Sequence, residues 1–342
     1  MYHYHYIIFN TLDGSRSKSF PDGYNTICMH DLEGDKRIEV VSAPLYYSPR
    51  FIRYLYGFHN SKAINRIIKL PFNKIWYPYY FKSKAEDFPY CFILLNHDLP
   101  IEYLRWLKKK YNNCKIVLLH RDLKEVCMRA NPSLPDNPIL DLEMTIDKRE
   151  SELYGYPWYS EFESKIDIKV NDSFPESDVF FAGRVKDRLP KIMEAYSVFQ
   201  EAGLRVFFYL TGVAKDDRIA YPGIHYADIN MTYKEMLIHT VNTRCVLEIN
   251  QQNAVGYTSR FLEAVIFGKR LITNNKVIID NPFYKTGHIQ VVDNMNEVDL
   301  SSIFEGDGFV DYSYNGEFSP YRMIDRVDEE LIKKYGAPSL KK

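Results

Sequence analysis

Asp178-Val-Phe-Phe-Ala-Gly-Arg-Val-Lys-Asp-Arg188 is the stretch from which the fold is read. A short apolar run, Asp178 to Ala182, ends at Gly183 and passes into a basic loop. Such a run bounded by glycine reads as a buried strand. Arg188 to Ala202 then carries a helical pattern, and Gly203 stands where a C-terminal glycine cap belongs. The alternation continues. Arg205 to Leu210 reads as a strand. Thr232-Tyr-Lys-Glu235 is a capping box that opens a helix to about Thr243. Arg244 to Ile249 is a strand, Ser259 to Phe267 a helix closed by Gly268, and Arg270 to Thr273 another strand. This order predicts a doubly wound parallel sheet.

The same alternation runs through the first half. Tyr90 to Leu95 and Lys115 to Leu119 read as strands, with a helix over Pro100 to Tyr111 between them. Leu140 to Ile146 is expected to be the last strand of this half. Two helices are expected earlier, one opened by Ser48-Pro49 and one capped by Ser61. The stretch from Tyr154 to Pro175 is aromatic, polar and aperiodic, and reads as a linker. A final helix starts at Ser319-Pro320 and carries the stripe Ile324, Val327, Leu331 and Ile332. That stripe needs a surface to cover, and the first domain is the expected one. The expected division is 1–172, 173–316 and the helical segment 317–342.

The 342 residues suffice for two domains with cores of their own. A hydrophobic fraction of 46% excludes a mainly disordered chain. No apolar run approaches the ~20 residues of a membrane helix. Met1-Tyr-His-Tyr-His-Tyr6 has no basic stretch ahead of an apolar one, so no secretion signal is expected. Cys28, Cys91, Cys114, Cys127 and Cys245 are odd in number, widely spaced and without a CxxC, which fits reduced thiols in a cytosolic protein. The net charge of −1 hides two unlike halves: residues 1–150 hold 22 Lys+Arg against 17 Asp+Glu, the remainder 22 against 28.

Two motifs carry chemistry. In Gly256-Tyr-Thr-Ser-Arg-Phe-Leu-Glu263 a polar loop runs into a helix, whose free N–H groups and dipole suit a phosphate. Gly256 permits close backbone approach. Glu263, a turn inside the helix, can accept from adjacent hydroxyls such as those of a ribose. In the second motif Arg184, Lys186 and Arg188 alternate after the strand, where a diphosphate would bind in an α/β crevice. The plain alternatives are a solvated surface glutamate and an exposed basic loop.

Together, Gly183-Arg184 and Arg260-Phe-Leu-Glu-Ala264 with Gly268 resemble the donor-binding domain of GT-B glycosyltransferases, most of all those of bacterial capsule and lipopolysaccharide biosynthesis. The resemblance covers about residues 178–275. It implies two Rossmann-like doubly wound domains facing a cleft, with the last helix crossing back to the first domain. It implies that Glu263 holds the donor ribose, that Arg184 with Lys186 or Arg188 holds the diphosphate, and that Thr258 and Ser259 meet phosphate at the helix start. Tyr257 belongs to the same loop. The base would lie near Ile224-His-Tyr226. Many retaining members carry a second glutamate eight positions before the ribose glutamate. Here that position is Val255, with Asn250, Gln251 and Gln252 close by, so the stereochemistry stays open.

The first half would then bind the acceptor. Its loops Asn96-His97-Asp98 and His120-Arg121-Asp122 offer His97, Asp98, His120 and Asp122 as candidate general bases, against the alternative of ordinary surface His-Asp neighbours. Aromatics gather here as well: Tyr46-Tyr47, Phe51, Tyr54, Tyr56, Phe58 and Trp76 to Phe81, interleaved with Arg50, Arg53, Lys62, Arg66, Lys69, Lys74 and, further on, Lys108 to Lys110. Such a surface suits an anionic membrane, and also nucleic acid, whose bases stack on aromatics, against the plain alternative of tyrosines that line helix packing and a carbohydrate cleft.

The leading expectation is a cytoplasmic glycosyltransferase, peripheral on the inner face of the membrane, moving a sugar from a nucleotide-sugar donor to a glycan or lipid-linked acceptor. Neither cofactor nor metal is expected, since no DxD triplet lies beside a donor-type loop. No nucleic-acid partner is expected. The alternatives are a nucleotide-sugar epimerase of the same fold and a non-catalytic glycan- or nucleic-acid-binding protein. A dinucleotide-dependent dehydrogenase is disfavoured, since no GxGxxG follows a strand.

Overall fold

The computed structural model describes residues 2–10, 24–41, 48–84, 87–95, 99–251, 255–306 and 308–338. The first half is built on parallel strands β1 (His5–Phe9), β2 (Ile38–Val41), β3 (Tyr90–Leu94), β4 (Lys115–His120) and β5 (Leu142–Thr145), in spatial order β2-β1-β3-β4-β5. Around them lie α1 (Tyr24–Cys28), α2 (Arg50–His59), α3 (Lys62–Ile67), α4 (Ile101–Lys110), α5 (Lys124–Ala130) and α6 (Lys148–Tyr154). Ser61 caps α3 through Ile64 N–H, as expected, whereas α2 starts without a side-chain cap.

Strands β1 and β2 are absent from the sequence-based reading, yet β1 sits between β2 and β3 and is buried along its whole length. The Tyr-His alternation of residues 2–6, which leads into it, disguises it. A tyrosine ring is an apolar body with one polar tip. Tyr4 and Tyr6 are buried, and the Tyr6 hydroxyl donates to Asp328. The aromatic run corrects another expectation. Trp76, Tyr77, Tyr80 and Phe81 are not a surface; they pack with Phe9, Phe92 and Tyr103 in the core on one face of the sheet. Lys108 is likewise not free for a partner, since its ammonium binds Asp141 and the Cys114 carbonyl.

The second sheet holds β6 (Ser177–Arg184), β7 (Val206–Thr211), β8 (Ile224–Ala227), β9 (Thr243–Glu248), β10 (Arg270–Thr273) and β11 (Ile289–Val291), in the order β11-β10-β9-β6-β7-β8. All are parallel, and helices α7 (Leu189–Glu201), α8 (Tyr233–Asn242) and α9 (Ser259–Ile266) connect them. The capping box at Thr232 makes both of its hydrogen bonds. Gly268 closes α9 at φ +62°, and a Cβ there would stand 2.6 Å from the Val310 carbonyl oxygen, so only glycine fits. Strands β8 and β11 are short edges that periodicity did not reveal.

A last helix, α10 (Pro320–Tyr335), returns to the first sheet. Its Met323, Ile324, Val327 and Leu331 share a core with Tyr4, Tyr6, Ile8, Cys91, Ile93, Val117 and Leu119. Tyr233 and Leu237 of α8 join the same core from the second half. The stretch between the sheets is no exposed tether: Tyr159, Phe162, Glu163 and Ser164 are buried, and Glu163 N–H donates to the Phe318 carbonyl at 2.8 Å. This is the two-domain doubly wound arrangement, with a C-terminal helix crossing back, that the resemblance implied. The five cysteines are buried and free. Among the described residues no helix is long and apolar enough to cross a membrane.

Because α10 completes the first core, Leu331→Ala should cost about 2–5 kcal/mol of unfolding free energy. Urea denaturation checks this, and a change under about 0.5 kcal/mol, the range of surface substitutions, would show that the helix is not part of the cooperative core.

Candidate active site

In a doubly wound sheet a ligand binds beyond the carboxyl ends of the strands, where the strand order reverses. In the second sheet that point lies between β6 and β9. The end of β6 brings Gly183 and Arg184 there, the loop after it Lys186 and Arg188, and the loop after β9 Asn250 and Gln251. Lys186 Nζ donates to Gln251 Oε1 at 3.0 Å, and Arg188 donates to the Ile249 carbonyl at 2.6 Å and to the Arg184 carbonyl. Arg188 is therefore a half-buried bracket holding both loops, while Arg184 and Lys186 remain exposed. Lys186 has φ +46°, an uncommon conformation for a residue with a side chain, of the kind that clusters at functional sites. Arg184 lies over Gly212, where a Cβ would stand 3.1 Å from Arg184 Cγ.

The start of α9 closes the other side. Asn274 and Asn275 hold the loop from behind, through Asn250 N–H at 2.7 Å and the Gly256 carbonyl at 2.9 Å. Neither was singled out from the sequence. Gly256 lets the loop approach the first half, since a Cβ would stand 3.1 Å from the Ile146 carbonyl oxygen. Lys148 N–H donates to the Val255 carbonyl at 3.3 Å, and Val255 N–H to Asp147 at 3.2 Å. Tyr257 meets Trp158 edge-on. Thr258 donates its hydroxyl to Glu248, which also accepts from Thr273. Ser259 Oγ lies 2.7 Å from the Tyr24 hydroxyl. Glu248, buried under the loop, was missed by sequence reading because a strand-end glutamate carries no motif.

Glu263 is fully buried. Tyr233 donates to its Oε1 at 3.0 Å and Arg260 pairs with its Oε2. The carboxylate expected to meet a ribose is thus engaged within the protein in this arrangement. Beside it lies Glu163 from the inter-sheet stretch, which accepts from Cys28 Sγ at 3.2 Å. Burial and then the Glu263 charge push Glu163 up to about 8. Burial also raises Glu263, to about 7, against the pull of Arg260 and Tyr233. Two buried carboxyls this coupled titrate as a pair. Arg260 pairs with Glu263 alone, and of the two Glu163 is pushed up further.

The four candidate bases have separate fates. His97 and Asp98 lie outside the described residues. His120 is not at the cleft: its ring is fully buried, with Nε2 3.0 Å from Glu143, Nδ1 3.3 Å from Cys127 Sγ, and Tyr156 stacked on it. Both ring nitrogens are occupied inside the fold, which leaves none for a substrate. Asp122 is different. It is open to solvent, yet the surrounding protein raises its pKa, with Lys186 and Arg121 pulling it back. Solvent access combined with crowding is what a carboxylate in a cleft experiences. Lys186 belongs to the second half, so its charge acts on Asp122 from the other set of loops. Tyr226 lies on β8 in register with Leu210, which pairs with Gly183. At ~4.8 Å per strand this places it ~10 Å to the side of the phosphate loop.

No family model matches the chain, and no curated protein matches its sequence. Solved structures are similar to it. Sucrose-phosphate synthase from Thermosynechococcus elongatus superposes with a TM-score of 0.50 at 10% identity, covering 97% of this chain and 99% of that one. A glycosyltransferase from Rickettsia africae ESF-5 gives 0.47 at 10% identity, covering 97% and 99%. A chain of the GtfA/B complex gives 0.39 at 11% identity, covering 72% of this chain and 57% of that one. At 10% identity the likeness to the sucrose-phosphate synthase is one of architecture. The chain has the GT-B fold, two Rossmann-like domains facing a cleft.

Burial raises both carboxyls of the Glu163–Glu263 pair, so the folded state holds protons that the unfolded state has released. The pair's contribution is full below the ordinary carboxyl range and is lost as pH rises toward about 8. Glu163→Gln removes one titrating group without changing its shape. It should flatten the decline of melting temperature between about pH 5 and 8.5; a profile identical to the parent's would count against the pair.

Proposed function

We propose that this protein is a glycosyltransferase that moves a sugar from a nucleotide-sugar donor to a hydroxyl of a cell-surface glycan or lipid-linked acceptor. The observation that carries the reading is the seating of the α9 loop on the first half, with Lys148 N–H on the Val255 carbonyl and Val255 N–H on Asp147, beside the switch point of the second sheet that presents Arg184 and Lys186. The donor diphosphate would lie against Arg184, Lys186 and the N–H groups that open α9, with the base toward Tyr226. Asn250, Gln251 and Tyr257 would line the sugar. As the bond between the anomeric carbon and the diphosphate breaks, charge builds on the leaving oxygen. Arg184 and Lys186 stand ready to stabilise it, which is worth most where the charge develops. They would do so without a metal. Asp122 would take the proton of the attacking hydroxyl, and its raised pKa brings it nearer the range where a base is effective. Glu263 would tie α9 to α8 through Tyr233 in this state, and would reach a ribose only once Tyr233 moves aside.

A thermal-shift screen with UDP, GDP, CMP and dTDP and their sugars tests the donor site. One nucleoside diphosphate should raise the melting temperature, since a ligand that binds only the folded state stabilises it. Arg184→Ala with Lys186→Ala should remove that shift. Asp122→Asn should keep the shift and lower transfer by about 10²-fold or more. No shift with any nucleotide, or full transfer by Asp122→Asn, would overturn the assignment.

A further inference from the structure

Residues 48–84 hold eight Lys and Arg and not one Asp or Glu. Among the described residues of the first half, most of the exposed large apolar side chains lie in the same segment. Helix α2 is amphipathic, yet its apolar stripe points outward. Phe51, Tyr54, Leu55 and Phe58 follow the i, i+3, i+4, i+7 spacing of a single helix face, and Phe51 and Tyr54 are 68% and 71% exposed. A surface helix normally turns such a stripe to the core. Here no residue of α2 is fully buried. Ile67 at the end of α3, Ile68 after it and Phe72 are 84%, 63% and 76% exposed, and Ile75 and Tyr79 extend the patch along the 3-10 turn 73–79.

The patch has a rigid floor. Ile52 and Tyr56 pack inward on the first core, the Tyr56 ring meets Trp76 edge-on, and Trp76 Nε1 donates to His59 Nδ1 at 3.1 Å. Exposed contiguous apolar surface of this kind marks an interaction site. The flanking charges select the partner. Arg50, Arg53, Arg66, Lys69 and Lys74 are interleaved with the apolar groups, and the segment offers no acid to neutralise them.

We propose that α2, α3 and the 3-10 turn 73–79 form a docking surface for an anionic lipid bilayer. Phe51, Tyr54, Phe58, Ile67 and Phe72 enter the boundary between headgroups and acyl chains, and the arginines and lysines hold lipid phosphates. An interfacial helix lies in the membrane plane by combining one apolar face with flanking cations. Long basic side chains keep their stems on the apolar surface and their charges at the headgroups. The proposal stands apart from the transfer chemistry, because none of these residues is among those given a role in donor binding or proton transfer above.

Flotation of the full chain with vesicles tests it. Vesicles of phosphatidylcholine with phosphatidylglycerol should carry the protein upward, vesicles of phosphatidylcholine alone should not, and added salt should weaken capture. The triple variant Phe51→Ser, Tyr54→Ser, Phe58→Ser should lose capture about ten-fold or more. So should the charge reversal Arg50→Glu with Arg53→Glu. These residues are exposed, so the melting temperature and any nucleotide shift should stay at the parent's values and show that folding is intact. Equal capture by neutral vesicles, capture unchanged in both variants, or no capture at all would overturn the proposal. Binding to single-stranded DNA in place of vesicles, or a dimer that dissociates in the triple variant, would overturn it in favour of nucleic acid or a second copy.

Discussion

A parallel sheet has to be covered on both faces, and the first sheet of this protein cannot cover itself. One face receives the aromatic core built from Trp76 to Phe81 and α4. The other is closed by α10, by the inter-sheet stretch around Tyr159 and Phe162, and by Tyr233 and Leu237 of the second half. The first domain thus borrows its cover from the far end of the chain. That cover fixes the two halves against one another, so the loops at their carboxyl ends face across a cleft. The positions of Asp122, Lys186 and Gly256 all follow from it.

The same seam explains the electrostatics. Groups within it lose water and must find partners or protons, because ionised groups are costly to bury. Glu263 finds Arg260 and Tyr233; Glu163 finds the Cys28 thiol and retains a proton. Glu248 is held by two threonine hydroxyls. The cations at the cleft, by contrast, keep their water. Arg184 and Lys186 can exchange it for a charged ligand at little cost, while Arg188 is committed to backbone carbonyls. Alternating cations that look equivalent in sequence therefore divide into two exposed groups and one structural bracket.

Much of the second sheet was legible because its signals are local. A capping box, a helix-closing glycine and a short apolar run depend only on neighbouring residues. The strands β6, β7, β9 and β10 and the helices between them lie where those signals placed them. The central strand β1 was not legible, since Tyr and His read as polar until the rings are seen to be buried. The outward turn of the α2 stripe was equally hidden: spacing shows that a helix has an apolar face, not which way it points. The basic loop and the α9 start were found by motif, but their supports, Asn274, Asn275 and Glu248, have none.

The sequence by itself determined the alternation of strand and helix, the two-sheet architecture and the loops that carry charge to the carboxyl ends. These follow from periodicity and caps within a few residues. Only the tertiary structure decided which of the named side chains are available. His120 turned inward, Glu263 was sealed, Asp122 was left open and the α2 stripe was left bare. The reason is that burial is set by what arrives from far along the chain. Tyr6 and Asp328 meet across 322 positions, a contact that no local pattern encodes.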